Sequence, residues 1–305
     1  MNMVIVIGNG FDLDLGWNTS YKAFYDKHKG WTIHQTSQDD LFQYVIKNTP
    51  GNWFDFERTL HEYVIRRSIV PADKIAIDRD IQDYYNFKSQ LSRFISECSN
   101  KPINKESYAY RLLEAYIKNR KAMILPSHSV KLFSYNYTPL ANVARQIDNN
   151  VRIDYYPVHG TIQEDSIIFG FHDDPKVPKE YRSLQKSMDE NYKSSNIVSE
   201  SLNADYIVFF GLSLGYIDGV YFKNLFEQIS NISNPLMINK QLFFITKDTN
   251  SENSIKNNLL DMGINLQLLY NSNNVNFIFT DEQQKGKTEH LFSNLLKRIT
   301  FSISD

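Results

Sequence analysis

The chain has little cysteine, little net charge and no long apolar run. Cys98 is the only cysteine among 305 residues, which excludes an internal disulfide and a cysteine-based zinc site. The formal net charge of −2 provides no general attraction for a nucleic acid or for a membrane surface. The longest apolar runs, such as residues 207–211, are far shorter than the roughly 20 residues of a membrane span. We therefore expect a soluble protein with neither kind of partner.

The start of the chain also lacks the features of an exported protein. Residues 1–3 run straight into a predicted strand, without a basic leader or a small-residue cleavage site. A cytoplasmic location is therefore expected. Cys98 continues a helical stripe of apolar residues that begins at Tyr84, so we expect a thiol packed in a core.

Apolar runs and helical stripes divide the chain. Residues 4–7 form a short β-branched run, which is typical of a parallel strand buried on both faces. Residues 31–121 follow a helical period and are predicted to form a helical insertion. Further strands are predicted at residues 122–125, 131–135, 155–158, 167–170, 206–211, 241–246 and 276–280. Later helices are predicted at residues 220–230, 252–262 and 289–299.

The alternation of strands and helices defines the expected fold class. Strands that alternate with helices need crossover connections, and these produce a parallel sheet. The sequence therefore predicts a single α/β domain over residues 1–305, with a doubly wound, mostly parallel, Rossmann-like sheet. The polar stretch 173–203, which contains Pro175 and Pro178, is predicted to be a mobile flap followed by a helix.

Glycine is scarce, with 12 in the chain, yet two of them directly follow the first strand. Gly8 and Gly10 flank Asn9, and Asp12 stands two residues further on. At the carboxyl end of a parallel strand, such a turn offers backbone amides and a helix N-terminus to a phosphate. The dinucleotide fingerprint of dehydrogenases needs a third glycine, where Leu13 stands, and an acid about 20 residues on, which is also missing. A phosphate turn outside the dehydrogenase class is therefore predicted.

Three other predicted strand ends carry residues suited to chemistry. Asn136 follows one strand and offers an amide that both donates and accepts hydrogen bonds. His159 follows the next strand and suits proton transfer near neutral pH. Gly211 and Ser213 follow a later strand, with Asp218 close behind. Together with the phosphate turn, these residues indicate a nucleotide site.

Each motif also has a plainer interpretation. The glycine pair fits a tight turn without a ligand, Asp12 fits a helix cap, and a histidine before a glycine fits a structural role. Asp12 and Asp14 begin like a calcium loop, but the frame fails at the next ligand position. His61 lacks the second histidine of a zinc-protease helix. The Gly-x-Ser-x-Gly pattern around Ser213 matches a nucleophile elbow, but no histidine lies between this serine and His290.

One longer pattern unites these motifs. Residues 7–24 read Ile-Gly-Asn-Gly-Phe-Asp-Leu-x-x-Gly-x-x-Thr-Ser-Tyr-x-x-Phe. Further pieces follow in order at residues 53–57 with Leu60, residues 133–138, 159–160, 169–170 and 211–215, and Asp218, Tyr221 and Phe222. This pattern resembles the signature of the AbiH family of bacteriophage abortive-infection proteins, and the resemblance covers nearly the whole chain. It implies a role in antiviral defence.

The same four strand-end loops also resemble those of sirtuin-like NAD-binding domains. In those domains a Gly-Ala-Gly-x-Ser loop holds the pyrophosphate, a strand-end motif supplies an asparagine, and a His-Gly pair supplies the catalytic histidine. Asn136 and His159 stand at the matching positions, 23 residues apart. Asp12 stands where sirtuins have serine, and Thr138 replaces the acid that follows their asparagine. The cysteines of their structural zinc module are missing, so protein deacylation is not expected.

The second resemblance implies a reaction and a set of residues. The expected reaction is cleavage of the nicotinamide–ribose bond of NAD by a glycohydrolase, with His159, Asn136 and Asp12 as catalytic residues and without a metal. The residues implied in dinucleotide binding are Gly8, Asn9, Gly10, Phe11, Thr19, Tyr137, Gly211, Ser213, Leu214 and Asp218. Trp53, Asp55 and Glu57 lie in the helical insertion, and their role stays open. A homo-oligomer and a phage-derived trigger are expected by resemblance alone.

Two other functions remain open at this point. One is a sensor that binds NAD or ADP-ribose without turnover, which the threonine at position 138 favours. The other is a metal-dependent nuclease that uses Asp12, Asp14, Asp173 or Asp218, although these acids are scattered and the chain is acidic overall.

Overall fold

A single parallel β-sheet forms the centre of the computed structural model. The described residues are 1–28, 41–48, 56–70, 72–122, 129–164, 166–192, 195–231 and 239–300. The strands are β1 (Asn2–Ile7), β2 (Ser129–Ser134), β3 (Tyr156–Pro157), β4 (Tyr206–Phe210), β5 (Gln241–Thr246) and β6 (Asn274–Phe279). All pairings between them are parallel, in the order β3-β2-β1-β4-β5-β6. The predicted α/β Rossmann-like class is confirmed.

Twelve α-helices occupy the described residues. The first six are α1 (Asn9–Asp14), α2 (Tyr21–His28), α3 (Leu41–Asn48), α4 (Phe56–Ile69), α5 (Lys74–Ser99) and α6 (Tyr108–Ala122). The others are α7 (Leu140–Ile147), α8 (Ser195–Leu202), α9 (Tyr216–Ile229), α10 (Thr249–Asp261), α11 (Leu266–Ser272) and α12 (Lys285–Thr300). The same described residues include three short 3-10 helices, at Ile162–Glu164, Lys179–Leu184 and Lys186–Met188.

The strand order explains why β1 is apolar from Met3 to Ile7. Met3, Ile5 and Ile7 face one core cluster, which also includes side chains of α1, α6, α7 and α12. Val4 and Val6 face the opposite cluster, which includes side chains of α8, α9, α10 and α11. A strand covered on both faces needs apolar side chains at its buried positions, which the sequence supplies from Met3 to Ile7.

The topological switch point of the sheet, where the order of the strands reverses, lies between β1 and β4. The chain runs from β1 through β2 to β3 on one side, then crosses to β4 on the other side of β1 and continues through β5 to β6. In open parallel sheets, ligands bind at the carboxyl ends of the strands at such a switch point. The loops after β1, β2 and β4 therefore occupy the favoured position for a ligand.

The helices between residues 41 and 122 divide into two groups. Side chains of α3, α4 and α5 share a separate apolar cluster with Phe24, Phe169 and Phe171. Cys98 is buried in that cluster as a free thiol. The helix α6 instead packs in the layer that covers the sheet. The predicted insertion thus contributes both a helical cluster of its own and one helix of the central layers.

Several predicted elements need correction. Residues 167–170 form no strand, and among the described residues only an isolated bridge joins Phe171 to Gln185. This run is apolar because it packs against the helical cluster, not because it pairs with a strand. The strand predicted around residues 155–158 shortens to two residues, and α11 was not predicted. Most of the strand predicted at residues 122–125 lies outside the described residues, and residue 122 ends α6.

Candidate functional site

Four neighbouring strands end at one edge of the sheet with the motifs that the sequence singles out. The glycine turn follows β1, Asn136 follows β2, His159 follows β3 and Gly211 follows β4. Because β3, β2, β1 and β4 are adjacent, their loops share this edge. We call these four loops the strand-end loops.

The glycine turn is pressed against the loop after β4. The Gly8 amide donates to the Phe210 carbonyl and the Gly10 amide donates to the Gly211 carbonyl, each at 2.9 Å. A Cβ on Gly10 would lie 2.5 Å from the Cα of Gly211, so only glycine allows this approach. Phosphate could bind these two amides only if both hydrogen bonds opened. The glycines therefore have a packing role in the structure, and the phosphate turn stays a prediction.

Asp12 is the centre of a buried polar cluster. Its side chain is 1% exposed. The carboxylate accepts hydrogen bonds from Asn136 Nδ2 at 2.8 Å, from Thr19 Oγ1 at 2.9 Å and from Thr138 Oγ1 at 3.0 Å. We call these four residues the Asp12 cluster. The N-cap of α1 is Gly8, so the alternative of Asp12 as a helix cap is wrong.

The Asp12 cluster also defines how Asn136 is used. Its Nδ2 donates to the Gly8 carbonyl at 3.0 Å as well as to Asp12, so this amide nitrogen ties the loop after β2 to the turn after β1. No described residue donates to its Oδ1, which remains an acceptor. Thr138 supplies a hydroxyl to the same carboxylate.

Burial makes the Asp12 carboxylate less acidic than an ordinary aspartate. Desolvation raises its pKa to about 6 despite the hydrogen bonds from Thr19, Thr138 and Asn136, which lower it. A pKa that is higher in the folded than in the unfolded state stabilises the protein at low pH, and this stability is lost as pH rises. For Asp12 this stability begins to be lost near pH 3.8, and the loss is complete above about pH 6.

This sign leads to a prediction for Asp12→Asn. Asparagine resembles the protonated acid, so the variant is expected to be about 3 kcal/mol more stable than the wild type above pH 7. The two proteins should converge below pH 4. Denaturant unfolding at a series of pH values measures the difference. As a control, Asp248 caps α10 and its pKa is lowered by the Ser251 amide, so Asp248→Asn should destabilise at neutral pH. An Asp12→Asn protein that is less stable than the wild type at pH 7 contradicts the prediction.

His159 is buried among tyrosine rings behind β3. It is 4% exposed, and its ring centroid lies 4.9 Å from Tyr135, 6.2 Å from Tyr137 and 6.3 Å from Tyr192. Burial, followed by the nearby Lys186 charge, holds its pKa well below 6.5. The imidazole is therefore neutral at physiological pH and carries one basic nitrogen.

Lys186 and Glu57 form a buried ion pair beside this histidine. The side chain of Lys186 is 0% exposed, and its Nζ lies 2.9 Å from Glu57 Oε2 and 3.3 Å from His159 Nε2. Glu57 Oε1 accepts the Gly170 amide at 3.2 Å. Desolvation raises the pKa of Glu57 to about 7, although the Lys186 charge opposes this shift. The insertion thus contributes a carboxylate to the region of His159.

Sequence reasoning missed Lys186. The residue begins a short 3-10 helix in a polar stretch, where no periodicity distinguishes a buried position from an exposed one. Glu57 was named as part of a family motif but without a partner. Trp53 and Asp55, named with it, lie outside the described residues.

The remaining predicted site residues occupy different surroundings. Tyr137 Oη lies 3.5 Å from Tyr21 Oη and donates to the Ile168 carbonyl. Asp218 is in the first turn of α9, and its charge raises the pKa of Glu57. Phe11 packs edge-on against a ring of β4.

The loop after β4 itself has two residues in the left-handed region. Gly211 has φ 64° and Leu214 has φ 55°. Leu214 is buried, whereas Ser213 is exposed and its carbonyl accepts a hydrogen bond from Asn258 at 2.8 Å.

The acids that a nuclease would use have separate hydrogen-bond partners. Asp14 accepts the Ala109 amide at 2.7 Å, and Asp173 accepts the Ser187 hydroxyl. Within the part of the chain that the structure describes, no three His, Cys, Asp or Glu side chains are grouped as a metal would require.

None of the described helices is both long enough and apolar enough to span a bilayer.

Comparison with known proteins agrees with the pattern at the start of the chain. The family model described as bacteriophage abortive infection AbiH matches residues 4–239. This match includes all four strand-end loops, the Asp12 cluster and the Glu57–Lys186 pair. No curated protein matches the sequence. Because the family model covers well over half of the 305 residues, the chain belongs to the AbiH family of bacteriophage abortive-infection proteins.

Proposed function

We propose that this AbiH protein binds NAD at the strand-end loops and cleaves the nicotinamide–ribose bond. The observation that carries the proposal is the position of Asp12, Asn136 and His159 on the neighbouring loops after β1, β2 and β3, at the carboxyl edge of the sheet beside its switch point. Ligand sites of open parallel sheets lie there, and titratable groups with shifted pKa values concentrate at functional sites. Asp12 and His159 both have such shifts.

The reaction needs little chemical machinery. When the C1′–N bond breaks, its electron pair leaves with the pyridinium nitrogen, so nicotinamide departs as a neutral molecule and the ribose becomes oxocarbenium-like. Water then adds to C1′ and gives up one proton, which yields ADP-ribose. The protein has to position the ribose, exclude other nucleophiles and accept that proton.

Two of the buried residues are suited to these tasks. Nε2 of neutral His159 is the basic nitrogen that would accept the proton from the attacking water. Oδ1 of Asn136, which no described residue occupies, would accept a hydrogen bond from a ribose hydroxyl. Asp12 holds Asn136 in place through Nδ2. The buried surroundings strengthen each of these polar interactions.

Incubation of the purified protein with NAD tests the proposal directly. Chromatography should resolve nicotinamide and ADP-ribose in equal amounts, and NAD at 100 times its dissociation constant should stabilise the protein by roughly 2.7 kcal/mol. NADH is the control ligand, because its dihydronicotinamide would have to leave as an anion. NADH should therefore bind through its ADP half without releasing a product.

The two measurements separate the possible functions. The proposal is rejected if the protein releases neither nicotinamide nor ADP-ribose and NAD does not stabilise it. Both results must hold with and without an added extract of phage-infected cells. Binding of NAD or ADP-ribose without any product rejects the cleavage step and indicates a nucleotide sensor.

A further inference from the structure

Lys186 occupies the nitrogen that the proposed reaction requires. Its Nζ lies 3.3 Å from His159 Nε2, and an ammonium group can only donate hydrogen bonds. Nε2 of the neutral imidazole is therefore the acceptor in this contact and carries the lone pair, which leaves the proton on Nδ1. An ammonium group that donates to a lone pair prevents it from accepting another proton. In the described state, His159 is not available as a base.

The ammonium group has a second acceptor close at hand. Glu57 Oε2 lies 2.9 Å from Nζ, so Lys186 can turn fully toward Glu57 and remain paired. The Glu57 carboxylate is itself fixed by the Gly170 amide. A buried lysine needs such a partner, because an unpaired charge in the interior costs several kcal/mol.

We propose that Lys186 is a positioning residue that keeps His159 occupied in the resting protein, and that Glu57 receives the ammonium group when His159 is released. This inference rests on the proposed function, in which His159 is the base. In this resting state the Lys186 ammonium group blocks the lone pair of His159 Nε2. For an abortive-infection protein, such a state keeps NAD intact until the contact opens.

The packing around Lys186 couples this contact to the helical cluster. The Lys186 amide donates to the Phe171 carbonyl at 2.8 Å, and Phe171 belongs to the cluster of α3, α4 and α5. Gly170 has φ 149°, and a Cβ there would overlap the Leu184 carbonyl, so residues 170–171 and 184–186 fit tightly together. A displacement of α4, which carries Glu57, would therefore act directly on Lys186.

The test uses a double variant that removes both charges. Glu57→Gln with Lys186→Met leaves no lone buried charge, so the fold is expected to survive. The first readout is the ¹⁵N resonance of His159 Nε2 in protein with labelled histidine. It should report a hydrogen-bonded lone pair in the wild type and a free lone pair in the double variant. The second readout is nicotinamide release from NAD, which should rise about tenfold or more when the base is no longer blocked.

Lys240 provides a matched control. It is also a buried lysine, but its Nζ donates to the Leu202 and Ala204 carbonyls at 2.8 Å, away from His159. Lys240→Met should leave the His159 resonance and the rate of nicotinamide release unchanged.

The outcomes separate this inference from the proposed function. A wild-type Nε2 resonance of the free type overturns the inference without any variant. A resonance that stays the same in the double variant, or slower NAD cleavage by that variant, also overturns it. If the His159 resonance differs between the wild type and the double variant but no protein releases nicotinamide, the Lys186 contact is supported and NAD cleavage is rejected.

Discussion

Replacement of His159 by glutamine is expected to reduce nicotinamide release from NAD by roughly a hundredfold or more, the usual contribution of a general base. Glutamine keeps the polar contact to Lys186, because its amide oxygen can accept a hydrogen bond from the ammonium group. It has no nitrogen that accepts a proton near neutral pH. The variant should therefore bind ADP-ribose with nearly wild-type affinity and lose only the chemical step. Product chromatography and a thermal shift on the same sample measure the two properties.

His61→Gln is the matched control for this experiment. His61 is also a buried histidine, but it lies on α4 and its Nε2 is 3.1 Å from Asp174 Oδ2. Its replacement should leave nicotinamide release within a few-fold of the wild-type rate. If the His159 variant releases nicotinamide as fast as the wild type, His159 is not the base of the reaction. Loss of ADP-ribose binding by that variant would instead assign the histidine to ligand binding.

The sequence was sufficient to predict the sheet because its central strands have an unambiguous pattern. β1, β4 and β5 are buried on both faces, so each contains a continuous apolar run that ends near a turn. The apolar run at residues 167–170 has the same pattern for a different reason. Its side chains enter the helical cluster, and its backbone bonds to loops. Periodicity reports burial and cannot identify the partner that causes it.

The candidate site was predictable only as far as strand ends are predictable. Adjacent parallel strands bring Asp12, Asn136 and His159 to one edge, whatever their separation in the chain. The contacts among them depend on side-chain directions that spacing does not determine. Lys186 reaches His159 from a segment without regular periodicity, and its carboxylate partner comes from the insertion. No local pattern could join these three elements.

The glycine turn illustrates the same limit. Its spacing predicts free amides that face a phosphate. In the structure, the amides of Gly8 and Gly10 donate to carbonyls of a loop about two hundred residues further along the chain. Only the tertiary contact between β1 and β4 reveals that both glycines are needed for close approach.

This close approach makes Gly211→Ala the substitution with the largest expected loss of stability. Gly211 has φ 64°, a conformation that costs an alanine about 1 kcal/mol. Its Cβ would also lie 2.5 Å from the carbonyl carbon of Gly10 and from the amide nitrogen of Phe11. Backbone atoms cannot move aside as a flexible side chain does, so the strand-end loops must separate. We expect a total loss of about 4 kcal/mol, a large part of the stability of an ordinary domain.

Gly263→Ala distinguishes the two causes of that loss. Gly263 also has a positive φ, 84°, but a Cβ there would meet no atom within 4 Å. This variant should therefore pay only the conformational cost of about 1 kcal/mol. Denaturant unfolding of both variants gives the difference, which is the energy of the contact between the turn after β1 and the loop after β4. If the two alanine variants lose equal stability, the Cβ at position 211 causes no costly overlap, which means that the loops after β1 and β4 separate at little cost. The amides of Gly8 and Gly10 would then be accessible to a phosphate after all.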